Sequence, residues 1–69
     1  MVELRTIRKA AGFTQRQMAD MLGKSLSSYK KKEAGEVHFQ DDEKMAVIRA
    51  LGMNMRQVND VWFDGEIPE

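Results

Sequence analysis

Lysine and serine side chains are concentrated in the stretch KSLSSYKKK, residues 24–32, the part of this sequence best equipped to bind an anion. Ammonium groups provide positive charge and serine hydroxyls donate hydrogen bonds, and both suit phosphate oxygens. On many proteins, however, a run of lysines is only a solvated helix face. The surrounding sequence has to distinguish a binding surface from a solvated one.

The charges of the 69 residues cancel, but they are unevenly distributed along the chain. Residues 1–35 hold eight Lys and Arg against three Asp and Glu, a balance of +5 (8 − 3). Residues 36–69 hold three against eight, a balance of −5 (3 − 8). This asymmetry favours a protein that presents one basic face to an anion. The alternative is a mixed surface whose charges are segregated by chance.

The composition argues against several kinds of site. The chain has no cysteine, which excludes disulfides and thiolate metal sites, and the single histidine, His38, is too few for a zinc site. We therefore expect no metal, no cofactor, no small-molecule ligand and no enzymatic activity. No apolar run approaches the roughly 20 residues of a membrane span, and no signal peptide opens the chain. We expect a soluble cytoplasmic protein.

Apolar periodicity and glycine spacing predict an all-α fold of five short helices. Glycine favours helix ends because it adopts the left-handed backbone conformation without a Cβ penalty. The predicted helices cover residues 2–11, 14–22, 25–35 and 41–51, the fourth starting at Asp41 or Asp42, and a fifth opens at Asn54.

Polar residues at the predicted helix starts support these limits. Thr14 with Gln17, and Asn54 with Gln57, fit capping boxes, and Ser25 is a good N-cap. We expect the six methionines to fill the core, with Met45 and Met55 among the inward-facing residues. A methionine-rich binding groove is the alternative.

The second and third predicted helices are joined by a turn of three or four residues that contains Gly23. This arrangement is typical of the helix-turn-helix motif. Ala19 allows close approach of the two helices, and Tyr29 faces the core. The outer face of the third helix then carries Leu26, Ser27, Lys30 and Lys31. The N-terminal part of this helix is free to enter a DNA major groove.

The segment GFTQRQMADMLGKSLSSYKKKEAGE, residues 12–36, resembles the Cro/CI or XRE-type helix-turn-helix family of lambdoid repressors. The likeness covers about residues 3–63. It implies a lambda-repressor-like fold, with one domain over residues 1–69, its core at 3–63 and a short tail at 64–69. The ending VNDVWFDGEIP is similar to the tails of small phage or mobile-element regulators of Gram-positive bacteria.

The resemblance implies a set of phosphate contacts. Gln15, at the start of the second helix, would hydrogen-bond a backbone phosphate. Ser25 and Ser28 would contact phosphate as well, and Arg16 and Lys24 would add electrostatic attraction. The alternatives are that Gln15 is plain helix surface and that Ser25 is only an N-cap.

The resemblance also implies which residues read bases. Leu26 and Ser27 would meet base edges, and Lys30 and Lys31 would contact guanine edges or phosphates. Residues 38–40 would lie near the sugar-phosphate backbone. Leu26 replaces the polar residue often found at this position of the family, and burial against Leu22 is its alternative.

Two further features follow from the resemblance. Arg8 and Glu33 would form a structural ion pair between the first helix and the end of the third. Lys32 stands where the family usually has an apolar residue, so we expect its aliphatic stem to cover the core while its ammonium reaches outward.

The function implied is a transcriptional regulator that binds a double-stranded DNA operator as a homodimer, in the manner of Cro or a repressor. Trp62 and Phe63 would either form the dimer contact or close the core. The alternative function is an antitoxin or a protein-binding adaptor built on the same fold.

Overall fold

The computed structural model describes residues 2–63. Met1 and residues 64–69, including the predicted turn at Asp64-Gly65, lie outside the described residues. Within the described range the fold is all-α, as predicted, and its five helices are α1 (Leu4–Ala10), α2 (Gln15–Leu22), α3 (Leu26–Glu33), α4 (Asp41–Leu51) and α5 (Met55–Trp62).

Side-chain caps fix where three of the helices begin. The backbone N–H of Gln17 donates to Thr14 Oγ1 at 3.1 Å, and Gln17 Oε1 accepts from the Thr14 N–H at 2.8 Å. Asn54 and Gln57 form the same reciprocal pair at the start of α5. Ser25 Oγ accepts from the Ser28 N–H at 3.1 Å. The predicted caps are confirmed, and they satisfy backbone donors that would otherwise lack partners.

Gly23 sets the turn between α2 and α3. It ends α2 in the left-handed conformation, with φ 66° and ψ 30°, and the next residue, Lys24, donates its N–H to Ala19 O at 2.9 Å. A side chain at position 23 would strain this backbone. The sharp turn places the start of α3 directly after α2, as a helix-turn-helix requires.

The core lies where α2, α3 and α4 meet. Met18, Tyr29 and Val47, one from each of these helices, are completely buried at its centre. Around them pack residues from α1, from α2 and from the connecting segments: Leu4, Ile7, Ala19, Phe39 and Met53. The Phe39 ring makes edge contacts with Tyr29 at 6.2 Å and with Trp62 at 5.8 Å between centroids. This core supports α3 from its inner side.

The expectation that all the methionines fill the core is wrong. Met18 and Met53 are buried, but Met45 is 50% exposed and Met55 is 66% exposed. The buried positions of α4 are Glu43 and Val47. Because successive helical residues are about 100° apart, Met45 lies on the opposite side of α4. Met55 is the first residue of α5, and no neighbouring element within residues 2–63 covers its side chain.

No helix in residues 2–63 is both long enough and apolar enough to cross a bilayer.

Candidate nucleic-acid interface

The outer face of α3 is polar and carries no acidic side chain. Tyr29 and Lys32, three residues apart, are the buried positions of this helix. Ser27, Lys30 and Lys31 are exposed, while Leu26 and Ser28 are partly covered. The only acidic residue of the helix, Glu33, turns inward to an ion pair. The exposed side of α3 therefore offers hydroxyl and ammonium groups together with one aliphatic side chain.

Polar groups beside α3 extend this surface. Arg16, in the first turn of α2, and Lys24, in the turn before α3, are exposed. Ser25 Oγ accepts the Ser28 N–H, so Ser25 is the N-cap of α3. A hydroxyl that accepts one hydrogen bond still has its own hydrogen to donate. The capping role and the predicted phosphate contact of Ser25 are therefore compatible.

Gln15 is anchored within the protein. Its Nε2 donates to Glu33 Oε1 at 3.2 Å, which links the first residue of α2 to the last residue of α3. An amide NH₂ group has two hydrogens, so the second one is available for another acceptor. The hydrogen bond to Glu33 is a feature that the sequence did not reveal, because the two residues are eighteen positions apart.

Arg8 and Glu33 tie α1 to the end of α3. Arg8 Nε donates to Glu33 Oε2 at 2.9 Å and Nη2 donates to Glu33 Oε1 at 3.3 Å, while Nη1 donates to Phe13 O at 2.6 Å. The two side chains are 7% and 4% exposed. This fork geometry is the strong form of an arginine–carboxylate pair. It fixes α3 against α1 without occupying the outer face.

Charges and burial shift the pKa values of Glu33 and of the neighbouring Tyr29. Burial alone would raise the pKa of the Glu33 carboxyl, but the hydrogen bonds and charge of Arg8, together with the nearby Tyr29 hydroxyl and the Gln15 amide, outweigh it and lower that pKa. The pKa of the Tyr29 hydroxyl is raised, chiefly by burial and also by the Glu33 carboxylate beside it. Glu33 is therefore held in its charged form and Tyr29 in its neutral form at neutral pH.

The prediction that the Lys32 ammonium reaches outward is wrong. Lys32 Nζ lies 2.5 Å from Glu43 Oε2, and the two side chains are 8% and 4% exposed. The reason is that α4 places a carboxylate inside the protein, beside the last turn of α3. Burial alone would raise the pKa of Glu43, but hydrogen bonds from Lys32 and the Gln40 backbone, with the charges of Lys32 and Lys24, lower it. No local pattern in the sequence indicates this pair, because the acids at the start of α4 fit a helix-dipole role.

In the segment after α3 and at the end of α5, exposed and buried side chains stand next to each other. His38 and Gln40 are exposed, but Phe39 is buried between Tyr29 and Trp62, so the Phe39 ring belongs to the core. The approach of residues 38–40 to the sugar-phosphate backbone stays a prediction. Trp62 is partly buried and helps to close the core, whereas Phe63 is 41% exposed, with Lys44 Nζ 5.6 Å from its ring centroid.

The part of the chain that the structure describes contains an open groove beside α3 and no cluster that could hold a metal ion. Within residues 2–63, no group of three His, Cys, Asp or Glu side chains could hold a metal ion. An open groove of about 1050 Å³ runs beside α1 and the end of α3, and its lining includes Arg5, Lys9, Gln15 and Lys30. These side chains suit hydrogen bonding and charge attraction.

Comparison with known proteins gives one match. A family model described as helix-turn-helix matches residues 4–58, which include all of α1 to α4 and the first half of α5. No match was found among curated proteins or among solved structures.

Proposed function

The chain belongs to the XRE-type helix-turn-helix family of DNA-binding regulators, and from this we propose that it is a sequence-specific transcriptional regulator that binds a DNA operator. The observation that carries the proposal is the exposed side of α3. It presents Ser27, Lys30 and Lys31 to solvent beside the partly covered Leu26, with no acidic side chain among them. A helix of this kind, directly after a helix and a tight turn, enters the major groove in proteins with this motif.

The proposed contacts fall into two groups. Phosphate contacts come from Gln15, Arg16, Lys24, Ser25 and Ser28, which surround the start of α3 and set its register on the duplex. Base contacts come from the outer face of α3 itself. Leu26 can touch a thymine methyl, Ser27 can donate or accept a hydrogen bond, and Lys30 and Lys31 can reach guanine acceptors or phosphates.

A homodimer completes the proposal. One helix-turn-helix covers only about half a turn of duplex, and two-fold dimers read half-sites about 34 Å apart. The operator would therefore be an inverted repeat. Phe63, which is exposed at the end of α5, is the better candidate for a dimer contact, since Trp62 packs against Phe39. The role would be that of Cro or a repressor, encoded by a phage or mobile element and acting in the bacterial nucleoid.

An antitoxin or protein-binding adaptor is the second candidate. Exposed carboxylates at Glu36, Asp41 and Asp42 lie in the loop after α3 and in the first turn of α4. They would suit a basic protein partner. An antitoxin would co-purify with a protein encoded beside it, and an adaptor would bind that partner without selecting any DNA sequence.

Selection from a random pool of DNA duplexes at moderate salt, followed by sequencing, tests the proposal. We expect enrichment of an inverted repeat whose half-sites are about one helical turn apart. Enrichment of a single half-site would support sequence-specific DNA binding but contradict the proposed homodimer. If the folded protein enriched no sequence, the regulator proposal would be wrong and the partner-binding alternative would replace it.

A further inference from the structure

Glu43 lies beside lysines from both ends of α3. Its Oε2 is 2.5 Å from Nζ of Lys32, in the last turn of α3, and 3.9 Å from Nζ of Lys24, in the turn before α3. Its other oxygen, Oε1, accepts the Gln40 N–H at 2.8 Å and so helps to begin α4. One buried carboxylate therefore joins the start of α4 to both ends of the helix that faces DNA.

The two lysines differ in what they can do. The Lys32 side chain is 8% exposed and its ammonium is paired with Glu43. The Lys24 side chain is 41% exposed, so its ammonium could also reach a phosphate. A carboxylate near Lys24 reduces the positive charge that this lysine offers to any DNA backbone, whatever the sequence. Attraction to the backbone provides most non-specific affinity, while the orientation of α3 provides base selectivity.

We propose that Glu43 is a positioning residue for sequence selectivity: through Lys32 it holds α3 in the orientation that reads bases, and through Lys24 it limits non-specific attraction to phosphate. The proposal rests on the DNA-binding function proposed above and adds a residue that does not itself touch DNA. The effect of Glu43 is on the ratio between operator and non-operator affinity.

The variant that tests this is the double substitution Lys32→Met/Glu43→Gln. Replacing Glu43 alone would leave the Lys32 ammonium buried without a partner, which disrupts folding. The double variant removes both buried charges together, nearly conserves side-chain volume and leaves the net charge unchanged. Glutamine at position 43 can still accept the Gln40 N–H, because glutamine also serves at this position of a capping box.

The matched control is Arg49→Met/Asp41→Asn. It also removes one cation and one carboxylate from the protein, and both residues are exposed on α4. Neither residue takes part in the ion pairs formed among residues 2–63. Urea unfolding should first confirm that both double variants are folded.

Affinities for the selected operator and for a scrambled duplex are then measured over a range of salt concentrations. For Lys32→Met/Glu43→Gln we expect about a tenfold lower operator-to-scrambled ratio. Its scrambled-duplex affinity should depend more steeply on salt, by about 0.9 in the logarithmic slope, as one more phosphate contact predicts. The control should match the wild type. If the folded variant kept both the wild-type ratio and slope, the role of Glu43 would be structural only. A wild-type protein without sequence preference would instead remove the proposed function, and this inference with it.

Discussion

Arg8 on α1 and Glu33 at the end of α3 form a two-pronged ion pair, with Nε 2.9 Å from Oε2 and Nη2 3.3 Å from Oε1. Gln15 donates to the same carboxylate, so three helices meet at Glu33. Since α3 carries the proposed reading face, this cluster fixes that face relative to α1 and α2. Removal of this cluster should lower the stability of the fold, and any loss of DNA affinity should follow from that.

Glu33→Gln should destabilise the fold by about 3 kcal/mol, because the Arg8 guanidinium would remain buried without its counter-charge. The free energy of unfolding in urea measures this. Glu36→Gln is the control, since Glu36 is an exposed glutamate three residues further on, and its replacement should change stability by less than about 0.5 kcal/mol. Equal urea midpoints for the two variants would contradict the structural importance of the pair.

Stability should fall in acid, and Glu33 and Glu43 should account for much of the fall. Both carboxyls have folded-state pKa values below their ordinary value of 4.5. In acid the unfolded chain therefore takes up protons first. Their contribution is complete above pH 4.5 and is lost as the pH falls through the lower folded values.

Urea unfolding measured between pH 7 and pH 3 checks this dependence. The folded double variant Lys32→Met/Glu43→Gln should show a shallower loss of stability than the wild type, because one of the two shifted carboxyls is absent. A steeper loss in the variant, or stability that rose on acidification, would contradict the assigned pKa directions.

Arg16→Ala should weaken binding to operator and scrambled duplexes by similar factors, because a phosphate contact carries no base information. The logarithmic salt slope should become shallower by about 0.9. Arg49→Ala removes an exposed arginine on α4 and serves as the control, with affinity and slope unchanged. An Arg16→Ala variant that lost selectivity while keeping its salt slope would show that Arg16 reads bases.

Phe63→Ser should weaken the homodimer while leaving the folded monomer nearly as stable as the wild type. Phe63 is exposed, so its loss should change the free energy of unfolding by less than about 0.5 kcal/mol. Trp62→Ser should instead lower the free energy of unfolding, since the Trp62 ring packs on Phe39. Sedimentation over a range of protein concentrations measures the dimer. An unchanged association constant for Phe63→Ser would exclude this residue from the dimer contact.

Helix positions could be predicted from the sequence because their signals are local. Thr14, Ser25 and Asn54 bond backbone groups only three residues away, and Gly23 ends α2 through its own backbone conformation. Each of these signals depends on residue type and short spacing. The helix-turn-helix could therefore be predicted from the chain alone.

The buried charge contacts could not be predicted in the same way. Lys32 meets Glu43 across the loop between α3 and α4, and Gln15 meets Glu33 across two helices. In neither pair do the two residues lie on the same helix, so the periodicity of one helix cannot reveal the contact. Met45 and Met55 show the same limit for apolar residues, because a periodic stripe does not reveal whether another element covers it.

The binding of Lys30→Glu/Lys31→Glu to the selected operator tests the central claim most directly. Both lysines are exposed on α3, and reversing their charges places two carboxylates where the account puts DNA. Arg49→Glu/Arg56→Glu makes the same change in net charge at two exposed cations on α4 and α5. Fluorescence anisotropy should show operator affinity lowered at least about 30-fold for the first variant, from two lost contacts of about 1–3 kcal/mol each, and much less for the second. Normal operator binding by a folded Lys30→Glu/Lys31→Glu variant would contradict the assignment of α3 as the DNA-reading helix.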